Sequence, residues 1–170
     1  PVEFERQSHD DFQQRELTTI VSNSENDQFG KVISLNDDFL IIGIPNEDTL
    51  GAGITPSETF ITKETAENSL DIVATQNEGA LNSGAVYIYR KSGINSWAFH
   101  SFIKSSNNET DDLFGSAVAL NGNTLIVSAP GEDSLASGVH SSLTSDTENL
   151  KLNNLASSSG AVYIFKFDET

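Results

Sequence analysis

Apolar and polar positions alternate with a period of two along several short segments of this chain. Runs of β-branched or aromatic residues are bounded by Gly, Asn, Asp and Pro, which is typical of β-strands. No segment has a convincing helical period, so the sequence predicts an all-β fold. The predicted strands lie near residues 17–21, 31–35, 39–44, 85–90, 97–104, 116–120, 124–129 and 161–167.

Two polar segments, 36–38 and 121–123, separate neighbouring strands and contain only Asn, Asp and Gly. These residues tolerate the positive φ of tight hairpin turns, so we expect the flanking strands to be antiparallel neighbours. Gly43 and the prolines at positions 45 and 130 are expected to end the second strand of each pair. Long polar connections follow, and they are either functional or partly disordered. Within the connection 46–83, the stretch 54–61 with Pro56 predicts a loop, and 70–73 predicts a short strand or a packed turn; the second connection is 131–159.

The sequence also repeats itself. Residues 27–36 recur as 112–121, an offset of 85 (114 − 29) that also relates 40–45 to 125–130. The offset falls to 76 (160 − 84) at the Gly-Ala-Val-Tyr segments that open the third strand of each unit. Such an internal period predicts an array of units that bury their faces against each other, as in propellers and solenoids.

Each repeat has Phe-Gly before its first strand and Pro after its second strand. The matching residues are Phe29-Gly30 with Gly43-Ile44-Pro45, and Phe114-Gly115 with Ser128-Ala129-Pro130. With this pattern the chain resembles FG-GAP repeat proteins, which include the β-propeller head of integrin α subunits and many secreted bacterial proteins. The likeness is greatest to the bacterial type. It implies one propeller-type unit over 1–170, with repeat 1 over about 12–90 and repeat 2 over about 97–167. We expect the core of the repeats to contain Phe29, Gly30, Trp97, Phe114 and Gly115.

A propeller blade has four antiparallel strands. Phe12 and Trp97 are equivalent (97 − 12 = 85), so the segment 12–21 corresponds to a fourth, outer strand. The chain then supplies one full blade and only three strands of the next. We expect the missing strand to come from further repeats or from another copy of the chain, in a head-to-tail contact. The residues expected in this contact are Phe12, Leu17 and Ile20 on the first strand and Val162, Ile164 and Phe165 on the last.

The charge of the chain excludes some partners. It has 9 Lys and Arg against 25 Asp and Glu, a net charge of −16, which would repel nucleic acid and anionic lipid. No run of about 18 apolar residues occurs, so we expect no membrane insertion. His9, His100 and His140 are far apart, and no phosphate loop or hydrolase motif is present, which predicts that the chain is not an enzyme.

Two adjacent pairs of carboxylates, Glu47-Asp48 and Glu132-Asp133, follow the second strand of each unit. Each precedes a polar loop that could add carbonyl and hydroxyl oxygens, so we predict a Ca²⁺ site at these positions; the other interpretation is a solvated acidic turn. The calcium loop that the resemblance implies between the first two strands is not expected here. The turns 36–38 and 121–123 are too short to supply about six to eight oxygen ligands.

We therefore expect an extracellular module, secreted or at the cell surface, with a structural or adhesive role. It would self-assemble head to tail through its N-terminal strand into a ring or a filament. The second hypothesis is a glycan- or ligand-binding module of a larger secreted protein, whose partner would be an extracellular protein or a glycan. A third, held only because propellers also host hydrolases, is a catalytic domain. The chain begins at Pro1 without a signal segment, so we expect a processed or trimmed piece.

Overall fold

The computed structural model confirms the all-β prediction. It contains no helix in the residues that it describes, and hence none that could cross a membrane. The described residues are 20, 26–49, 53–56, 62–64, 70–72, 79–94, 96–139 and 154–167. The strands are β1 (Val32–Leu35), β2 (Phe39–Ile44), β3 (Gly53–Pro56), β4 (Thr62–Glu64), β5 (Leu70–Ile72), β6 (Ala85–Gly93), β7 (Ser96–Lys104), β8 (Ala117–Asn121), β9 (Thr124–Ala129) and β10 (Ala161–Lys166).

The first sheet has five antiparallel strands in the order β1-β2-β6-β7-β3. The predicted turn between β1 and β2 is confirmed. Its conformation is fixed by Asn36, whose side-chain oxygen accepts the backbone N–H groups of Asp38 at 2.9 Å and Phe39 at 2.7 Å. Asn favours such turns because its short side chain bonds to the backbone two or three residues on.

The prediction of a loop over residues 54–61 was wrong at its beginning. Gly53–Pro56 forms β3, which pairs with the outer edge of β7. Pro56 does not prevent this pairing, because it is the last residue of an edge strand, where a missing N–H is tolerated. Residues 70–72 form a strand, as one of the two predicted alternatives, and this strand pairs with β4 in a separate two-stranded sheet.

The second sheet has three antiparallel strands in the order β10-β9-β8. Among the described residues, β10 pairs with β9 and with no other strand. The predicted N-terminal strand 17–21 falls outside the described residues except for Ile20. Ile20 packs against the apolar side chains on one face of the first sheet.

The two sheets pack face to face around an inter-sheet core. Phe114, from the Phe-Gly turn before β8, is fully buried in this core. The opposite face of the first sheet carries a second apolar cluster, which includes Tyr87 and Phe102. The buried members of the inter-sheet core are Phe39, Ile41, Val86, Ile88 and Ile103 from the first sheet, and Phe114, Leu125, Val127 and Ala129 from the second unit.

The repeat extends to the backbone conformation. Every described residue with positive φ except Gly122 has an equivalent at offset 85 or 76 that also has positive φ. The two units therefore use the same turns, including the unusual ones at residues other than Gly. The pairs are Asn26 and Asp111, Gln28 and Leu113, Gly30 and Gly115, Gly53 and Gly138, Asn82 and Ser158, and Gly84 and Gly160.

Gly43 has a different role from the predicted one. It does not end β2, which continues to Ile44 before Pro45. A side-chain carbon at Gly43 would collide with the backbone carbonyl oxygen of Gly115 in the second unit. Gly43 is therefore a point of close approach between the two sheets, which only a residue without a side chain allows.

Candidate functional site

Glu47 lies at the base of the long loop that follows β2, and its carboxylate is buried inside the protein. The backbone N–H of Thr49 donates to Oε1 at 3.2 Å, and the Thr49 hydroxyl donates to Oε2 at 2.9 Å. The carbonyl oxygen of Glu47 accepts the N–H of Gly84 at 2.9 Å, which closes the base of the loop. Lys104, at the end of the outer strand β7, donates its ammonium group to Oε2 of Glu47.

Glu132 occupies the equivalent place in the second unit and repeats the backbone part of this arrangement. The N–H of Ser134 donates to its Oε1 at 3.0 Å, and the N–H of Gly160 donates to its carbonyl oxygen at 2.8 Å. The partners of Oε2 differ between the two units. Oε2 of Glu47 accepts from a charged ammonium group, whereas the partners of Glu132 Oε2 are neutral. The side-chain amide of Asn107 donates to this oxygen at 2.6 Å and the Tyr163 hydroxyl lies 3.2 Å from it.

The Lys104 ammonium and the Glu47 carboxylate form a buried ion pair. Burial lowers the pKa of Lys104, and the neighbouring Glu47 carboxylate counteracts part of this effect. Loss of one partner would leave the other charge buried without compensation, which is far more unfavourable than loss of both. The pair therefore fixes the end of β7 to the base of the loop.

Tyr163 and Asp112 lie near Glu132 and share its buried environment. Burial, followed by the charge of Glu132, raises the pKa of Tyr163, so its hydroxyl stays a neutral donor. Burial raises the pKa of Asp112 to about 7; the backbone N–H of Glu109, which donates to Asp112 at 2.9 Å, opposes this shift. We therefore expect Asp112 to change its charge near neutral pH.

The predicted Ca²⁺ site was based on these same carboxylates. Glu47 and Glu132 are buried and bonded to protein donors, and Oδ1 of Asp48 accepts the N–H of Asn82 at 2.6 Å. Asp133 is half-buried. Within the described part of the chain, no group of three or more His, Asp or Glu side chains could hold a metal ion. The Ca²⁺ site at these four residues stays a prediction.

The residues of the last strand that were predicted for assembly lie on two faces of β10. Val162 and Ile164 are exposed, whereas Phe165 is half-buried against the inter-sheet core. Phe12 and Leu17 lie outside the described residues. Of the residues predicted for the repeat core, Phe29 and Trp97 are half-buried against the second apolar cluster, and Gly115 packs against the first sheet. Gly30 does not lie in the core, because it is exposed in the turn before β1.

The partners of the two glutamates, Lys104, Asn107 and Tyr163, were not predicted from the sequence. A signal for Lys104 was present, because it is two residues after Phe102 and so shares the face of β7 that carries a buried aromatic side chain. A lysine at such a position needs a buried acidic partner. His100 is half-buried and packs edge-on against Phe39, while His9 and His140 lie outside the described residues.

Comparison with known proteins supports the repeat that the sequence predicts. No curated protein matches the chain. Residues 97–141 match the family model of the FG-GAP repeat. This segment begins on β7 of the first sheet and continues through β8 and β9 of the second sheet. The matched repeat therefore spans parts of both sheets. The resemblance to FG-GAP repeat proteins, with antiparallel sheets that are consistent with propeller blades, is therefore confirmed for this segment.

Proposed function

We propose that the chain is an extracellular, non-catalytic structural or adhesive module that self-assembles head to tail through its N-terminal strand. One observation carries the proposal. The third strand of the first sheet, β6, is flanked by β2 on one side and β7 on the other, whereas its equivalent β10 pairs with β9 alone among the described residues. An edge strand presents unpaired N–H and C=O groups, which are a template for a strand from another chain.

The sequence of the N-terminal strand suits this vacant position. At the offset of 85, Lys104 of β7 corresponds to Thr19 (104 − 85 = 19). A fourth strand without a lysine is compatible with the second blade, because Glu132 already accepts hydrogen bonds from Asn107 and Tyr163. In the first blade, by contrast, Glu47 depends on the ammonium group of the outer strand. The strand 12–21 therefore matches the chemistry of the second blade.

The extracellular and structural role rests on the repeat. FG-GAP repeats are typical of non-catalytic modules in surface or secreted proteins, and residues 97–141 match this family. In this assembly the predicted strand at residues 12–21 of one copy would pair with the edge of β10 in another copy. Such a heterologous contact closes into a ring or continues as a filament.

Size-exclusion chromatography with light scattering, together with negative-stain microscopy, tests the proposal. We expect rings or filaments for the full chain and loss of assembly for Leu17→Asp, because the equivalent residue of β7, Phe102, is buried. Gln13→Asp is the matched control, since its equivalent, Ala98, is exposed. Circular dichroism establishes that both variants are folded. A folded full-length chain that is monomeric in the light-scattering measurement contradicts the proposal.

A further inference from the structure

The second sheet has one apolar face that is exposed. Val162 and Ile164 of β10 are 65% and 70% exposed, and Ile126 of β9 is 40% exposed. The register of the sheet places Ile164 opposite Ile126, and Ile126 opposite Ala119 of β8, which is also exposed. Although the chain has 25 acidic residues, none occurs at the positions of the three strands that share this face. These positions are Ala117, Ala119, Asn121, Thr124, Ile126, Ser128, Val162, Ile164 and Lys166.

The equivalent face of the first sheet is covered by the second unit. Ile41, Val86 and Ile88 correspond to Ile126, Val162 and Ile164, and all three are completely buried in the inter-sheet core. The same residue types therefore occupy the same strand positions in both units, but among the described residues only the face of the first sheet is covered by another unit. Unpartnered apolar faces of this kind mark interaction sites.

Backbone hydrogen bonds also join the second unit to the first beside the covered face. The carbonyl oxygens of Leu81, Asn82 and Ser83 accept the N–H groups of Asp111, Leu113 and Phe114 at 2.8, 3.0 and 2.9 Å. In the second unit, the equivalent acceptors are residues 157–159 (81 + 76 = 157), and they are exposed. Ser158 has a φ of 51°, the same as Asn82, so this acceptor turn already has the conformation of the bonded one.

The complementary surface is on the first unit. The turn that contains Asn26 and Gln28 has nearly the same positive φ angles as the turn with Asp111 and Leu113. Asn26 and Gln28 are exposed. On β1, Ile33 and Leu35 are exposed, although their equivalents Val118 and Leu120 pack against the inter-sheet core. One chain therefore carries both surfaces of this contact, and its described residues form the contact once, between the first unit and the second.

We propose that the exposed face of β8, β9 and β10 docks the first unit of a second copy of this chain. Ile33 and Leu35 of the second copy would cover Ile126, Val162 and Ile164, and its turn 26–29 would lie against residues 157–159. This inference rests on the proposed head-to-tail assembly and adds a surface to it. The connection from the outer strand to the next blade, residues 105–116, has the same length as residues 20–31, so a donated N-terminal strand brings the first unit to this face.

One position makes the docked contact looser than the internal one. Ser128 stands where the first sheet has Gly43, which lies against the carbonyl oxygen of Gly115. The Cβ of Ser128 occupies the space that this oxygen would need, so the second copy must sit further from the sheet at this end. We expect Ser128→Gly to strengthen assembly. An unchanged association would mean that Ser128 does not lie in the interface.

Substitutions on the face test the inference in the full chain. Val162→Asp combined with Ile164→Asp places two charges on the docking face, and we expect at least a hundredfold weaker association. Ile94→Asp is the matched control, because Ile94 is 91% exposed in the turn between β6 and β7, away from this face. Both variants should keep the wild-type circular dichroism spectrum, since the replaced side chains are exposed in the monomer.

Cross-linking identifies which surfaces meet. The chain has no Cys, so Gln28→Cys and Ser158→Cys each introduce a single thiol. We expect a bismaleimide to join the two variants when they are mixed, and neither variant to itself. Dimers of Ser158→Cys alone would mean that the face pairs with its own copy, which overturns the inference. If the full chain assembles but gives no cross-link, and the double Asp variant assembles equally well, the docking face is wrong while the strand exchange stands. A monomeric full chain overturns both.

Discussion

Lys104 and Glu47 are 57 residues apart in sequence (104 − 47), yet they form a buried ion pair that joins the end of β7 to the base of the loop that follows β2. The equivalent Glu132 has no lysine partner among the described residues. Its Oε2 instead accepts a hydrogen bond from the side-chain amide of Asn107 and lies beside the hydroxyl of Tyr163. Two positions that look identical in the sequence repeat are thus stabilised by different chemistry.

Lys104→Met should destabilise the protein by about 3–5 kcal/mol, because it leaves the Glu47 carboxylate buried without its cation. The double variant Lys104→Met/Glu47→Gln should recover much of this loss, since it removes both charges. Urea denaturation measures the free energy of unfolding of each variant. The single variant Glu47→Gln completes the cycle. If the effects of Lys104→Met and Glu47→Gln simply add in the double variant, the two groups do not form an energetic pair.

Phe114→Ala should destabilise the protein by about 3–5 kcal/mol, because Phe114 is fully buried between the sheets. Phe29 is the equivalent residue of the first unit, and it is half-buried. Phe29→Ala is therefore the matched control, and we expect roughly half the effect. A loss below about 1 kcal/mol for Phe114→Ala would contradict its place in the inter-sheet core.

Gly84→Ala should be more destabilising than Gly160→Ala, although the two glycines have nearly the same φ of +83° and +77°. Both substitutions introduce backbone strain of about 1–3 kcal/mol. Only at Gly84 would the new methyl group collide with the backbone of Phe114; at Gly160 it would make ordinary contacts with Pro130. The difference in urea midpoint at low protein concentration therefore measures the inter-sheet contact, and equal midpoints would exclude it.

Asp112 should make the protein less stable as the pH rises from about 4 to 7. Its folded pKa of about 7 exceeds the ordinary value of 3.8, so the folded state binds more protons in this interval and deprotonation favours unfolding. Asp112→Asn should weaken the decline in melting temperature between pH 5 and pH 8. Asp37→Asn removes the same charge from an exposed turn and controls for the effect of net charge. An unchanged slope in Asp112→Asn would contradict the assignment.

The strands of the two units were predictable because each is a local pattern. The bounds of β2 and β9 agree with the predicted ones, and the hairpin turn at Asn36 follows from the chemistry of a short amide side chain. The role of Gly43 was not predictable, because it depends on Gly115, a residue 72 positions away (115 − 43). The same holds for β3, which forms because the outer edge of β7 offers hydrogen-bonding groups to a segment that has little strand character of its own.

The sequence by itself determined that this protein has two similar all-β units, since periodicity and repeat offset are properties of the linear chain. It also placed the carboxylates at the base of both long loops. Only the tertiary structure decided which apolar face is covered and which is exposed, because the same strand pattern occurs on both sheets. Burial depends on what packs against a face, and residues that are distant in the chain supply that neighbour for the first sheet.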